Sequence, residues 1–539
     1  MSNLLSAGGP SDDSAPVPVV GGTQRDNCVV VQPTAADSVS RSKQESPNQA
    51  TSLVELVDGE ELFHNAAGDT FGRYTVDAHY EISAIRSRAF RTWLLRRYYL
   101  EYGRTPSSQA LQDALGVIEG QAQFSGDERE VYVRNAEHQG RLYLDLCNSA
   151  WQVVEIDSNG WRIVDESPVM FRRAKTMLPL PTPAEGGSLD ELKRIVNVSD
   201  DDWALVAAWL VAALRSRGPY PILAVHGEQG SAKSTLCRIL RKLIDPNKAP
   251  LRSEPRDPRD FMIAATNSWV VAYDNLSYIP PWLSDAMCRL STGGGFATRT
   301  LFENDDETVF EVQRPLLING IEEIAARSDL LNRCLLINLP RIEDTERRTE
   351  DELESEFQRI HPRVVGALLT AVSIALKRRE SIKLNLPRMA DFATWAAAAE
   401  PALGLESGEF IRAYKLNLEI GDDTAIDASP VGNVLIRFME KRRNWTGTAT
   451  QLLQELEILA SFSETRTKAW PKTARSISGI VRRLAPNLRK RGIGIDFNRS
   501  AEERTITLTS SPESTAASVT QMTQQIQYDP FPTFTEITR

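Results

Sequence analysis

The feature that most constrains this chain is a junction near its middle. An apolar stretch, PILAVH (221–226), runs into Gly227-Glu228-Gln229-Gly230-Ser231-Ala232-Lys233-Ser234-Thr235 and then into LCRILRKLI, whose apolar residues recur at helical spacing. Strand, glycine-rich turn and helix opening on Lys-Ser are the parts of a phosphate-binding loop. Glycines let the backbone curl so that successive N–H groups face one point, and a helix N-terminus adds a favourable dipole. In such a loop Lys233 pairs with the β- and γ-phosphates and the Ser234 hydroxyl ligates Mg²⁺. The usual pattern has glycine before the lysine, and this chain has Ala232. The alternative reading is a purely structural glycine-rich turn.

A phosphate loop that turns over nucleotide needs a second acid on a neighbouring strand. Trp269-Val-Val-Ala-Tyr273-Asp274-Asn275 offers one 41 residues after Lys233, an apolar run ending in Asp274, where a carboxylate can hold Mg²⁺ through water. The plainer alternative is a strand ending in a solvated acid. Asn275 stands where a glutamate often orients the attacking water, so no general base is visible. A third run, Arg314-Pro-Leu-Leu-Ile318-Asn319-Gly320, ends in an amide 45 residues after Asp274, placed to sense the γ-phosphate or simply to form a turn. Beyond it, Arg333, with Arg327 in reserve, is the candidate to reach a neighbouring subunit's γ-phosphate; either could equally be a surface ion-pair residue. Between Asp274 and Asn319 lies LSTGGGFATRT, whose three glycines suggest a mobile loop with Phe296 and Arg299 near its tip. An aromatic and a cation suffice to stack on a base and pair with a phosphate, although a plain hairpin turn reads the same way.

Composition limits the rest. The net charge of −10 excludes a wholly basic nucleic-acid coat but not a local basic module. The five cysteines, at 28, 147, 237, 288 and 334, form no CxxC pair, which argues against a zinc ribbon or a disulfide framework and suits a reducing cytoplasm. No basic-then-apolar leader opens the chain and its longest apolar run, Trp203–Leu214, is too short for a bilayer, so no membrane association is expected. Residues 1–50 and 510–539 read as disordered. Residues 51–180 read as a small α+β module, with two helices between Ile82 and Leu115 turning at Gly103–Pro106, and a hairpin at Asn159-Gly160. Its Asp145 and Asp157 read as solvated acids rather than a metal pair. MLPLPTPAEGG (177–187) is a linker and 202–215 a helix. Residues 181–345 form the loop-bearing core, 346–430 a helical lid or extension, and 431–509 a basic C-terminal module.

That last module holds 13 Lys/Arg against 4 Asp/Glu across 441–500. Helix (449–460), helix (472–491) and two strands (493–497, 505–508) suit a winged helix whose second helix faces a nucleic-acid groove. That helix carries Lys472, Arg475, Arg482, Arg483, Arg489, Lys490 and Arg491, too many for one salt-bridged face; the alternatives are a solvated helix or a protein-docking surface.

In order, GEQGSAKST, VVAYDNLS, RLSTGGGFATR, RPLLINGI, DLLNRCLLINLPRI and RMADFATWAAAAEPALG resemble the superfamily 3 helicase core, itself AAA+-like. They resemble more closely the P-loop ATPases of phages and integrative elements, related to poxvirus-type primase-helicases. The resemblance covers about 200–420 well and the upstream module more weakly. It implies an α/β fold with an AAA+-like parallel sheet, and a homo-oligomeric, hexameric ring with nucleotide between subunits and the Phe296/Arg299 loop in the pore. The expectation is thus a cytoplasmic, ATP- and Mg²⁺-dependent DNA helicase or translocase of a mobile element, with single-stranded DNA in the pore and duplex at the C-terminal module. The rivals are an ATP-gated initiator or switch that does not unwind, and a remodelling or defence ATPase that does not act on nucleic acid. No catalytic acid set for priming is visible in 51–180, so priming would need a separate primase.

Overall fold

The computed structural model describes residues 48–510, apart from 78, 295, 300–306, 311, 321–326, 384–388, 441, 468 and 500–503. The segments expected to be disordered, 1–50 and 510–539, lie almost wholly outside the described residues. The described chain opens with α1 (Gln49–Glu55), the antiparallel strands β1 (Glu61–His64), β2 (Thr70–Val76) and β3 (His79–Ala84), and helices α2 (Arg88–Tyr102) and α3 (Ser108–Phe124). Ser87 and Ser107 cap the two longer helices by accepting from Phe90 N–H and Ala110 N–H, and Gly103 closes α2 at φ 62°. The two expected helices are therefore present, but Ile82 belongs to β3. Pairing with β2 along its whole length decides that segment, and helical spacing does not. Phe90, Trp93, Leu94, Leu111, Leu115 and Ile118 give this part its own small core.

Short strands follow: β4 (Asp127–Glu128) beside β1, β5 (Val131–Tyr132), the meander β6 (Asn135–His138), β7 (Arg141–Asp145), β8 (Val153–Asp157) and β9 (Gly160–Val164), and β10 (Met170–Phe171) beside β5. The Asn159-Gly160 hairpin is where the sequence puts it. This meander is not insulated from the central region of the chain. Leu142, Leu144, Val154 and Ile156 belong to the same buried cluster as the central helices. Asp145, expected to be solvated, is fully buried, and Arg173 donates to both its oxygens at 2.9 and 2.6 Å.

The linker 177–187 forms neither helix nor strand. Next come α4 (Leu189–Lys193), α5 (Asp200–Ala213), β11 (Ile222–His226), α6 (Lys233–Ile244), α7 (Pro258–Asn267), β12 (Val271–Tyr273), α8 (Pro281–Thr292), the hairpin β13 (Phe296–Arg299) and β14 (Glu307–Phe310), β15 (Leu316–Asn319), α9 (Ser328–Leu331) and β16 (Cys334–Asn338). Strands β12-β15-β11-β16, in that order, make an all-parallel sheet. Alternate residues serve its two faces: Leu223, Val225, Leu317 and Ile337 pack towards α5 and α6, and Ile222, Ala224, Leu316 and Ile318 towards α7 and α8. Burial on both faces is why these strands read as unbroken apolar runs. Helix α5 is buried from Trp203 to Ala213, apolar on every side. The protein is thus a mixed α/β structure around a parallel sheet.

Helices α10 (Glu350–Arg378), α11 (Ala390–Ala399) and α12 (Glu409–Asp427) occupy the expected lid region. They share one buried cluster with α5, α6 and the sheet, and so form a layer of the core. Asn417 of α12 closes the sheet's edge by accepting from Leu336 N–H (3.0 Å) and donating to Leu336 O (2.6 Å). Among the described residues, one helix, 350–381, has the length and apolarity to cross a membrane, and its most apolar 18-residue window is 67% buried within the protein.

The chain continues with α13 (Pro430–Glu440), β17 (Asn444–Thr448), α14 (Ala449–Leu459), α15 (Phe462–Arg466), α16 (Ala474–Lys490), β18 (Ile493–Arg499) and β19 (Arg504–Ser510). The strands form an antiparallel sheet in the order β17-β19-β18, over a separate core that includes Leu435, Phe438, Leu452, Ile477, Val481 and Leu508. Strand β17, Asn-Trp-Thr-Gly-Thr, mixes strand formers (Trp445, Thr446, Thr448) with Asn444 and Gly447, and pairing with β19 along its whole length holds it.

Candidate functional site

The glycine-rich turn leaves the C-terminal end of β11 and enters α6. At Gly227, φ is 145°, and a β-carbon would lie 2.7 Å from Ser231 Oγ and 3.0 Å from Leu339 O, so only glycine fits. Ser231 is buried and its hydroxyl donates to Glu228 O at 2.9 Å, which tightens the turn. Ala232 is the N-cap of α6 with φ 65° and ψ 28°. This left-handed conformation explains the usual glycine here, and holding an L-residue in it costs roughly 1–2 kcal/mol. Asn197 anchors the turn from outside by donating to Ser231 O at 3.1 Å and Pro340 O at 2.7 Å.

Lys233 curls back over the turn and donates to Gly227 O at 2.8 Å and Glu228 O at 2.7 Å. Desolvation pushes its ammonium pKa down, and Asp274 opposes that shift. The Ser234 hydroxyl donates to Asp274 Oδ1 at 2.7 Å. Two residues 40 positions apart, singled out separately as metal ligands, therefore meet. Their chemistry fits Mg²⁺, which takes one or two protein oxygens and fills its octahedron with water and phosphate. Among the described residues no group of three or more His, Cys, Asp or Glu could hold a metal ion.

Asn319 takes a different place from the one expected of a phosphate sensor. It is buried, with both ends of its amide engaged: Oδ1 accepts from Asn275 N–H at 2.8 Å and Nδ2 donates to Cys237 Sγ at 3.4 Å. Its carbonyl accepts from Leu276 N–H at 2.9 Å. Asn319 thus fastens the turn after Asp274 to α6. Asn275 sits in that turn at φ 52°, a left-handed position that asparagine tolerates better than glutamate. Burial pushes the Cys237 thiol up to about 12.

Arg333 accepts through its carbonyl from Ile222 N–H, level with the start of β11, and so lies at the opposite end of the sheet from its own glycine-rich turn. It donates to Asp329 O at 2.6 Å; Arg327 pairs with Asp285 at 3.0 Å and Asp329 at 3.4 Å. Phe296 and Arg299 are in strand β13, opposite Phe310 and Glu307. They are therefore not both near a tip: Phe296 is at the base of the hairpin, and residues 300–306 lie outside those described.

Sequence reasoning missed Arg347, whose Nη2 would be 3.6 Å from a β-carbon at Gly230 and which pairs with Asp344 at 3.2 Å. Only the return of the chain after β16 brings it there. The other missed group is sealed. At the far end of α6, Arg134 donates to Asp245 Oδ1 at 3.1 Å and to the carbonyls of Asp145 and Leu178, while Asp245 Oδ2 accepts from Trp269 and Val270 N–H. Arg241 donates to Ala249 O and Pro250 O, and burial pushes its guanidinium down to about 10.

The basic helix α16 is less free than its sequence suggests. Lys490 pairs with Asp422, Asn487 donates to Asp422 at 2.8 Å, and Arg491 pairs with Asp423 at 2.6 Å, all across to α12. Arg489 donates to Ile495 O at 2.6 Å and Arg482 stacks over Phe497 at 4.6 Å. Lys472, Arg475 and Arg483 are exposed and without an ion pair among the described residues.

Residues 189–423 match the family model of the actinomycete integrative conjugative element replication protein, and residues 431–523 match that of the AICE RepA C-terminal domain. The chain belongs to this family of mobile-element replication proteins. In this replication protein the first match runs from α4 into α12 and the second begins in α13, where the separate C-terminal core starts. Solved structures similar to the replication protein include the A-form apo structure of the NrS-1 C-terminal region, at 12% identity and TM-score 0.37 over 85% of this chain and 98% of that one. An apo structure of NrS-1 residues 305–718 is similar at 11% identity and TM-score 0.36, over 87% of this chain and 100% of that one. No curated protein matches.

Proposed function

We propose that this replication protein is a P-loop ATPase acting on DNA, a helicase or translocase assembled as an AAA+-like homo-oligomeric, hexameric ring. The observation that carries the reading is the contact of Ser234 with Asp274 beside Lys233, at the C-terminal edge of a parallel sheet. Open α/β sheets bind ligands at that edge. The N–H groups of 229–234 face the phosphates of ATP, and Lys233 exchanges the two loop carbonyls for phosphate oxygens. Ser234 and Asp274 would hold Mg²⁺, which supplies charge neutralisation on the phosphates. Asn319 positions Asp274 by clamping the following turn, a change from the sensor role expected of it. Arg333, at the far end of its own sheet, acts on the nucleotide of a neighbouring subunit.

Nucleic acid is handled by the β13–β14 hairpin carrying Phe296 and Arg299, and by the C-terminal module. Helix, strand, three helices (the middle one, α15, only five residues long) and two strands follow one another there, an order that suits a winged helix with α16 as the groove-facing element. Its free cations are Arg475 and Arg483, with Arg482 held over Phe497; Lys472, expected on this helix, lies just before its N-cap Thr473.

A second reading, an ATP-gated initiator that does not unwind, is favoured by Asn275: an amide cannot take the proton of the attacking water, and no carboxylate follows Asp274. The experiment is ATP hydrolysis with and without single-stranded DNA, comparing wild type with Lys233→Ala. DNA-stimulated hydrolysis lost in the variant supports the motor. Nucleotide binding without stimulated turnover replaces it with the switch.

A further inference from the structure

Helix α2 lies outside both family matches and carries a second concentration of positive charge. Residues 86–104 contain six arginines and one glutamate in a chain of net charge −10. Two of the six have structural duties. Arg86 donates to both oxygens of Glu119, and Arg97 pairs with Glu60 at 2.6 Å while lying over the Trp93 ring. The others do not. Arg88, Arg91 and Arg104 are exposed and have no ion pair among the described residues, and Arg96 meets the exposed Asp77 only at 3.5 Å.

Their arrangement is ordered. Arg88, Thr92, Arg96 and Tyr99 recur at helical spacing on the solvent face of α2, with Arg91 and Leu100 on its flanks. The opposite face, with Phe90, Trp93, Leu94 and Tyr98, is buried in the module's core, so the exposed side chains are not needed to hold the helix in place. Tyr99 is 57% exposed and Leu100 71% exposed. Arg88 to Tyr99 spans about 17 Å along the axis.

We infer that this face of α2 is a nucleic-acid contact, one that binds single-stranded DNA by pairing Arg88, Arg91 and Arg96 with phosphates and stacking Tyr99 on a base. A row of exposed cations, of which Arg88 and Arg91 have no ion pair among the described residues, with an exposed ring beside them is the pairing of chemistries that single strands require. Arginine also presents a fork that matches phosphate oxygens. The acid that meets this row, Asp77 against Arg96, is outnumbered by its arginines. Duplex DNA would use the arginines but leave Tyr99 without a base to stack on. The inference does not rest on the ATPase reading, because binding here needs no nucleotide. Residues 49–124 would then hold a strand on a part of the protein separate from the glycine-rich turn and from α16.

The test uses the full chain without nucleotide, a fluorescent oligothymidylate and its duplex counterpart, and anisotropy across a salt series. Arg88→Glu/Arg91→Glu should weaken single-strand binding at least tenfold and lower the slope of log K against log salt by about 1.4, or 0.7 per lost phosphate contact. Tyr99→Ala should weaken single-strand binding roughly tenfold and leave duplex binding unchanged. Bromodeoxyuridine in the strand should photocross-link to the peptide containing Tyr99. Binding is measured without nucleotide, which separates this result from the fate of the ATPase reading. All the substituted side chains on α2 are exposed, so an unchanged circular dichroism melt confirms folded variants. Unchanged affinity and slope in Arg88→Glu/Arg91→Glu, with Arg475→Glu/Arg483→Glu abolishing binding, overturns the inference. An equal loss of duplex binding in Tyr99→Ala overturns its stacking part.

Discussion

The two ends of α6 are both charged, and they are built on opposite plans. At the N-terminal end the backbone is strained at Ala232, Lys233 is held only by loop carbonyls, and Ser234 and Asp274 pair at a half-buried edge. At the C-terminal end, about 18 Å away by helix rise, Arg134, Arg241 and Asp245 are fully buried, and backbone groups from four segments surround them. On the proposed reading, the groups that meet a ligand are left with partners that can be exchanged. Groups that join modules are sealed, because an ion in a dry interior must keep every partner it has. Here the sealed end ties the meander of 135–164 to α6 and to the segment entering β12, so the same helix carries the candidate site and the main seam between modules.

That contrast predicts that substitutions at the two ends fail in different ways. The largest effect belongs to the sealed end. Asp245→Ala leaves two buried arginines without their carboxylate and should lower unfolding free energy by about 3–5 kcal/mol in a denaturant titration. A loss below about 1 kcal/mol would mean that water already reaches the seam. Lys233→Ala should do the reverse, lowering ATP hydrolysis at least a hundredfold while the melting temperature stays within a degree or two. A variant that melts much earlier would make Lys233 a structural residue and end the contrast.

Acid should probe the packing of α10 against α6. His361 of α10 lies against Phe357 near Lys242 of α6, and burial pushes its imidazole down to about 4. Its unfolded pKa is near 6.5, so between these values the unfolded chain binds the extra proton. The stabilisation from keeping His361 neutral is complete above about pH 6.5. It disappears as the pH falls towards 4, by up to about 3 kcal/mol. His361→Phe should flatten that part of the stability–pH curve, and an unchanged slope would exclude His361 as its source. The smallest effect is at the open end. Ala232→Gly removes the left-handed strain at the cost of some unfolded-state entropy, for a net gain of about 0.5–1 kcal/mol with the site intact. Destabilisation on making that change would show that the Ala232 methyl group is packed rather than strained.

Much of the loop-bearing core was legible in the chain itself. Strand β11 begins and ends where its apolar run does, α6 opens on Lys-Ser, and β12 and β15 end next to Asp274 and on Asn319, because a strand buried on both faces leaves an uninterrupted apolar signature. The hairpin at Asn159-Gly160 and the body of α16 were legible for similar local reasons. The roles of individual polar residues were less so. Asn319 reads as a sensor by position and is a clamp by contact, and the basic surplus of α16 looks free until Asp422 and Asp423 of α12 are set beside it.

The sequence by itself thus determined the glycine-rich turn, the strands and helices that flank it, and the identities of the residues that could meet phosphate and metal. Tertiary structure alone decided the strand order β12-β15-β11-β16, the meeting of Ser234 with Asp274, the approach of Arg347 to Gly230, and the burial of Arg134 against Asp245, 111 residues away. The reason is one of range. Periodicity, caps and turn residues act over a few neighbours, and a short window records them. Pairings across tens of residues arise only when apolar faces close on one another and leave particular polar groups in the same dry space.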